Sequence, residues 1–153
     1  MLNKLFNPSS IAVIGASNTE GKVGYDIFAN LRKDFKGKLY PINLKATDVQ
    51  GTHAYNSISK IKEKIDLAVV VIPAKFVPST IEEIAKKKTK NIIIITAGFS
   101  ETSKEGKKLE KQIEKLVKKH KLNIVGPNCL GVINTSNGMN ASFAASSPGK
   151  GNI

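Results

Sequence analysis

Apolar residues along this chain fall into two alternating kinds of stretch. Short runs that are apolar at nearly every position occur at 10–16 (SIAVIGA), 38–44 (KLYPINL), 66–72 (DLAVVVI), 91–97 (NIIIITA) and 123–126 (NIVG). The third and fourth are rich in β-branched residues, the pattern of strands covered on both faces in a parallel sheet. Between the runs, apolar residues recur at helical spacing. They predict helices over 22–34, 76–89 and 103–121, and a shorter helical turn over 57–63. Pro78 stands near the start of the middle helix, where its missing N–H costs little. Ser103 with Gly106 marks the start of the last helix only weakly. Strands separated by helices are βαβ units, so the expected fold is α/β: a Rossmann-like, doubly wound parallel sheet in three α/β/α layers with right-handed crossovers.

A length of 153 residues suits one domain with a real core. The expected core spans 1–126. Beyond it the composition turns to Gly, Asn, Ser and Ala, broken only by the brief apolar pieces LGVI and SFAA. Residues 127–153 therefore read as a loop-rich segment that completes the domain. Gly151, Asn152 and Ile153 read as the opening of another strand, leading to a second domain absent from this sequence. No apolar run approaches the ~20 residues that cross a bilayer. Lys4, Asn7 and Pro8 interrupt the beginning of the chain, unlike a signal peptide. Cys129 is the sole cysteine, which excludes an internal disulfide and a cysteine-based metal cluster. The expectation is a soluble, cytoplasmic protein with no membrane partner.

The net charge of +12 raises the question of a nucleic-acid partner. Eight lysines lie between Lys104 and Lys121, but Leu109, Ile113, Leu116 and Val117 keep an apolar stripe there, which leaves most of the lysines on the wet face. No aromatic residue is interleaved with them, as stacking on single strands requires. Solvated faces are the simpler reading, and no nucleic acid is expected.

The chemistry concentrates at "IAVIGASNTEGKVGYDIFANL" (11–31), where an apolar run meets glycines at 15, 21 and 24 and then a helix. A strand-to-helix loop at the carboxyl edge of a parallel sheet presents free N–H groups and the positive end of a helix dipole, a natural anion site. Gly21 can take backbone angles closed to other residues, and Gly24 allows strand and helix to approach closely. The spacing is neither the dinucleotide fingerprint G-x-G-x-x-G nor a P-loop. It points to a phosphate-bearing ligand without naming it. The second strand narrows the choice. An NAD site wants an acid at its end for the ribose hydroxyls, whereas "YPINLK" offers Asn43 and Lys45. A cation there suits a phosphorylated ribose, as in NADP or coenzyme A, or is simply one more surface lysine.

With "VIGASNTEGKVG", "YPINLK", "VVVIPAKF", "ITAGFSE" and "GPNCLGVIN" in this order, the chain resembles the N-terminal CoA-binding domain of ADP-forming acyl-CoA synthetases (acetate–CoA ligase, ADP-forming). These are relatives of the succinyl-CoA synthetase α subunit, and the resemblance covers essentially the whole sequence. It implies that Ser17, Asn18, Thr19 and Glu20 hold the nucleotide end of coenzyme A while Gly15 and Gly21 shape the turn. By the same resemblance Lys45 interacts with the coenzyme. Ile95, Thr96, Ala97 and Gly98 would line the path of the pantetheine arm, and Pro73 would sit on the same rim. Asn128 and Cys129 would face the thiol end.

The resemblance has departures and gaps. Ala97 stands where the succinyl relatives carry Glu, Leu130 where they carry Pro, and Leu44 where Y-P-V-N-P-K has its second proline. In the family, acyl-CoA and phosphate give an acyl phosphate whose phosphoryl group passes to a histidine and then to ADP. That histidine belongs to a flavodoxin-like domain and the nucleotide to an ATP-grasp module, so ADP, ATP and Mg enter only through parts this sequence lacks. His53 and His120 match no family histidine, and neither they nor Cys129 are expected to be catalytic. No metal ligands are expected. The chain alone should bind CoA or an acyl-CoA without turnover. The alternatives are a stand-alone CoA-binding regulatory module and, from another class, an NADP-binding oxidoreductase domain.

Overall fold

The computed structural model describes residues 2–149 and residue 151. Strands β1 (Ser10–Ile14), β2 (Lys38–Ile42), β5 (Leu67–Val70), β6 (Asn91–Ile94) and β7 (Asn123–Val125) form one parallel sheet in the order β2-β1-β5-β6-β7. Two antiparallel hairpins interrupt this numbering: β3 (Asp48–Val49) with β4 (Thr52–His53), and β8 (Gly131–Asn134) with β9 (Met139–Ser142). The helices are α1 (Asn3–Phe6), α2 (Val23–Asp34), α3 (Val77–Lys86) and α4 (Lys104–His120), with short 3₁₀ turns at Ile58–Lys60 and Ala74–Phe76.

Alternation along the strands decides which layer each residue joins. Ala12, Ile14, Ala68, Val70, Ile92 and Ile94 face α3 and α4, meeting Ile81, Ile84 and Ile113. Ile11, Val13, Leu67, Val69 and Ile93 face the other way, onto Ile27, Phe28 and Leu31 of α2. Every residue of β1, β5 and β6 is buried, as their apolar runs predict. The lysines of α4 all stand in solvent while Leu109, Ile113, Leu116 and Val117 pack on the core. Ser103 caps this helix, its hydroxyl accepting from the Gly106 N–H at 3.0 Å, so the weak start signal is a working cap.

The segment 127–153, expected to be loop-rich, holds the β8–β9 hairpin. Met139 and Ala141 are fully buried against α2, so this outer layer is one helix plus a hairpin. Polar Asn140 and Ser142 are buried too, and the Asn30 side chain on α2 donates to the Ser142 and Ala144 carbonyls at 2.9 and 3.0 Å. The Ser142 hydroxyl donates to Asn140 Oδ1 at 2.5 Å and Asn140 Nδ2 to the Ser147 hydroxyl at 2.6 Å, and these bonds make a strand of "MNAS" tolerable where apolar pattern gives no hint of one. The expected opening of a further strand at 151–153 rests on Asn152 and Ile153, which lie outside the described residues. Among the described residues, no helix is long and apolar enough to cross a membrane.

Candidate functional site

Because the five strands are parallel, their carboxyl ends share one edge. The chain leaves β1 outward to β2, then returns to β5 on β1's other side. That reversal opens a crevice between the loops after β1 and β5, the place where such sheets bind ligands. The β1–α2 loop, residues 15–22, forms its mouth.

Close packing sets the loop's base. Gly24, in the first turn of α2, lies so near β1 that a β-carbon there would come within 2.0 Å of the Gly15 carbonyl oxygen. Further out, Asn18, Thr19, Glu20, Gly21, Lys22 and Val23 are exposed. The Ser17 hydroxyl accepts from the Thr19 N–H at 2.9 Å, folding the loop back on itself. Among the described residues, the N–H groups of Asn18, Glu20, Gly21, Val23 and Gly24 find no acceptor. Orphan donors at a helix start carry the positive end of the dipole, and here those of Asn18, Glu20, Gly21 and Val23 belong to exposed residues while Gly24 is buried behind them.

Two neighbours brace this loop: sequence reasoning noted Asn43 without its bracing role and missed Gln50. The Asn43 side chain donates to the Ala16 carbonyl at 2.8 Å and accepts from the N–H groups of Lys45 and Ala46, both at 2.9 Å. It thereby fixes the end of β2 to the end of β1. The β3–β4 hairpin supplies the second brace: Gln50 Nε2 donates to the carbonyls of Ser17 and Tyr25, both at 3.1 Å. Gln50 and Gly51 have φ of 51° and 75°, the primed turn of a two-residue hairpin. The Gln-Gly pair between Val49 and Thr52 was the available signal.

The side chains named by the resemblance divide into two groups. Asn18 is already engaged, donating to the Asp48 carbonyl at 2.8 Å and accepting from the Gln50 N–H at 2.7 Å. What it offers a ligand is main chain. Ser17 is buried and Thr19 and Glu20 are exposed. Lys45 is exposed at the end of β2, held by its backbone alone.

Across the crevice, Pro73 is exposed and precedes the 3₁₀ turn carrying Phe76, which is 51% exposed with the Lys75 ammonium 4.9 Å from its ring centre. Leu44 and Leu130 are likewise exposed on this rim. The Thr96 hydroxyl donates to the Ile72 carbonyl at 2.8 Å, tying the loops after β5 and β6 together. Ile95, expected to line the arm's path, turns its side chain into the core beside Val71 and Val125. Strand alternation sends it inward, so only its main chain is near the rim. Ala97 is exposed, Gly98 half-buried with φ 105°. The Gly98 N–H is taken by the Glu101 carboxylate at 2.7 Å, and this bond with those from the Glu101 and Phe99 N–H groups holds that carboxyl below the usual range. Asn128, at φ 53°, donates its N–H to the Thr96 carbonyl at 3.0 Å, which brings the last loop beside the third.

The Cys129 thiol is half-buried and points at the Ile94 carbonyl at 3.4 Å. Burial pushes its pKa up, only partly offset by the N–H groups of Gly131 and Cys129. A thiol so held is mostly protonated at neutral pH and a weak nucleophile. Alkylation by iodoacetamide at pH 8 should run about tenfold or more slower than for free cysteine. A rate equal to free cysteine would contradict this placement.

His53 stacks edge-on with Tyr55 at 4.9 Å on the β3–β4 hairpin, and His120 ends α4, where its carbonyl takes the Lys90 ammonium at the opposite edge of the sheet. Cavities of about 520 and 470 Å³ lie elsewhere, one by the β8–β9 turn and one at the opposite edge of the sheet.

Residues 9–135, which include the glycine loop, Lys45 and the last two rim loops, match the family model described as a CoA binding domain. The chain belongs to the CoA-binding domain family. The acetate–CoA ligase [ADP-forming] II subunit alpha of Pyrococcus furiosus is 46% identical over all of this CoA-binding chain and 33% of its own length. The acetate–CoA ligase [ADP-forming] of Methanocaldococcus jannaschii is 49% identical over 95% of the chain and 20% of its own length. A crystal structure of a Pyrococcus horikoshii protein superposes with a TM-score of 0.94 at 47% identity, over 99% of this chain and 35% of that one. The acetyl-coenzyme A synthetase 1 of Ca. Korarchaeum cryptofilum, in complex with phosphate and ADP, gives 0.88 at 36% identity, over 94% and 31%. The CoA-binding chain thus spans a third or less of the curated ADP-forming ligases it matches.

Proposed function

We propose that this chain binds coenzyme A or an acyl-CoA as the CoA-binding part of an ADP-forming acyl-CoA ligase, which converts acyl-CoA, ADP and phosphate to free acid, CoA and ATP. The observation that carries the reading is the group of unpartnered N–H donors at the β1–α2 mouth. A diphosphate placed there satisfies donors that nothing else among the described residues satisfies, and it meets the positive end of α2. Lys45, at the neighbouring strand end, neutralises the 3′-phosphate of the ribose. The pantetheine arm then crosses the strand ends past Pro73, the Thr96–Ala97–Gly98 loop and exposed Phe76, and its thiol ends near Asn128 and Cys129.

In this scheme residues 1–126 form the binding core and 127–153 complete it and lead toward a flavodoxin-like domain. The acyl group moves from the CoA sulfur to phosphate there, the phosphoryl group passes to a histidine of that domain, and an ATP-grasp module presents ADP and Mg. This chain's own residues bind and orient the thioester; alone it turns nothing over.

Parallel calorimetric titrations with CoA, dephospho-CoA, NADPH and ADP test the reading. CoA should bind more tightly than the other three. Lys45→Ala should weaken CoA about fivefold, ~1 kcal/mol for one exposed ion pair, and leave dephospho-CoA unchanged. Equal affinities for CoA and dephospho-CoA would remove Lys45 from the site. NADPH binding as tight as CoA would favour an NADP-binding oxidoreductase instead.

A further inference from the structure

The opposite edge of the sheet carries a second concentration of charge that the crevice does not use. A cavity of about 470 Å³ at the amino ends of the strands is lined by Lys4, Lys64, Lys88, Lys90 and Lys121. They come from distant parts of the sequence and face one another only through the fold. A single carboxylate, Asp66, shares the cavity, and it is already committed: it accepts from the Ser9 N–H at 2.9 Å and pairs with Lys4 at 3.0 Å. Lys90 is spent on the His120 carbonyl at 2.5 Å, the end of α4. Lys64, Lys88 and Lys121 are exposed, and among the described residues their ammonium groups have no partner.

Backbone placement argues that this grouping is built rather than scattered. Helices α3 and α4 end in the same way. The Thr89 N–H reaches the Ile84 carbonyl and the Leu122 N–H the Val117 carbonyl, closing each helix over a left-handed residue. Glycine is the usual occupant of that position. Here both are lysines, Lys88 at φ 65° and Lys121 at φ 52°, and both line this cavity. The cavity's polar floor is a fixed chain of amides: Asn123 donates to Asn91 at 2.9 Å, and Asn91 to the Asp66 carbonyl at 3.0 Å.

We infer that this basic cavity is a second anion site, one that takes a compact polyphosphate. Its lining supplies ammonium groups on flexible stems, point donors suited to tetrahedral phosphate oxygens. No arginine lines it, so the fork that grips a planar carboxylate is missing. Three unpartnered cations call for an anion of several charges.

The test titrates the full chain calorimetrically with inorganic triphosphate, with and without saturating CoA, and with an oligoglutamate peptide. The expected result is one saturable triphosphate site that persists when CoA is bound. The double variant Lys64→Gln/Lys88→Asn, with Asn chosen because it accepts left-handed angles, should weaken it about tenfold. Lys107→Gln/Lys111→Gln, on the exposed face of α4, should leave it unchanged. Four results would overturn the inference: no saturable binding, equal losses in both double variants, one-for-one displacement by CoA, or tighter binding of the peptide than of triphosphate.

Discussion

Gly24→Val should cost the protein more than about 3 kcal/mol, a fall of roughly 10 °C in melting temperature for a domain of this size. A β-carbon at this position would lie 2.0 Å from the Gly15 carbonyl oxygen and 3.0 Å from its carbonyl carbon. Both belong to main chain that is fixed at the end of β1, where the Gly15 N–H donates to the Ile42 carbonyl at 3.0 Å. Nothing flexible can yield. The helix must move away from the sheet, taking Ile27, Phe28 and Leu31 partly out of their core. Even Gly24→Ala should show most of this loss, since the first added carbon makes the collision. Urea unfolding of the two variants checks it. An alanine variant as stable as the parent would mean that the approach of α2 to β1 is not what fixes the loop's base.

Gly21→Val should behave in the opposite way, sparing the fold and abolishing coenzyme binding. Gly21 has φ 77°, and no heavy atom lies within 4 Å of a β-carbon built there. The cost to folding is the left-handed backbone, roughly 1–2 kcal/mol, together with the added stiffness of a β-branched residue. The cost to binding is larger under the proposed reading, in which a diphosphate occupies the empty space beside Gly21. In the parent, CoA at a hundredfold excess over its dissociation constant contributes about 2.7 kcal/mol, a melting-temperature rise of several degrees. In Gly21→Val that rise should vanish. Gly21→Asn, whose side chain tolerates the left-handed region, separates the two causes: it should recover stability but not CoA binding. Recovery of binding by Asn would place the diphosphate elsewhere.

The two glycines illustrate what was legible in the sequence. The run that ends at Gly15 and the helix that opens near Lys22 were readable because parallel strands buried on both faces leave no polar positions to obscure them. The same held for β5, β6 and the apolar stripe of α4. The β8–β9 hairpin was not readable, because Asn140 and Ser142 occupy buried positions, where their side chains bond each other and Ser147 while Asn30, far away in sequence, takes the main-chain carbonyl of Ser142. The β3–β4 hairpin has two residues per strand, too few for periodicity, and only its Gln-Gly turn betrays it.

At the site, spacing and resemblance named loops but could not say which atoms face outward. Asn18 reads as a ligand and is a brace, its amide spent on Asp48 and Gln50. Ile95 reads as lining and packs inward. The bracing roles of Asn43 and Gln50 carry no side-chain signature, because both work through bonds to main-chain atoms of another segment. Of the lysines at the other edge, only Lys121 fell within the stretch read as solvated charge, and the rest gave no signal of meeting there. Their convergence depends on α3 and α4 both ending beside β5 and β7, which only the folded chain reveals.

Amide chemical shifts of the ¹⁵N-labelled chain, followed as CoA is added, test the reading of the β1–α2 mouth most directly. The expected outcome is saturable movement of the Asn18, Glu20, Gly21, Val23 and Gly24 signals, with those of Lys64, Lys88 and Lys121 staying in place. Signals of the 15–24 loop that remain still while CoA binds, or shifts confined to the opposite edge, would contradict it.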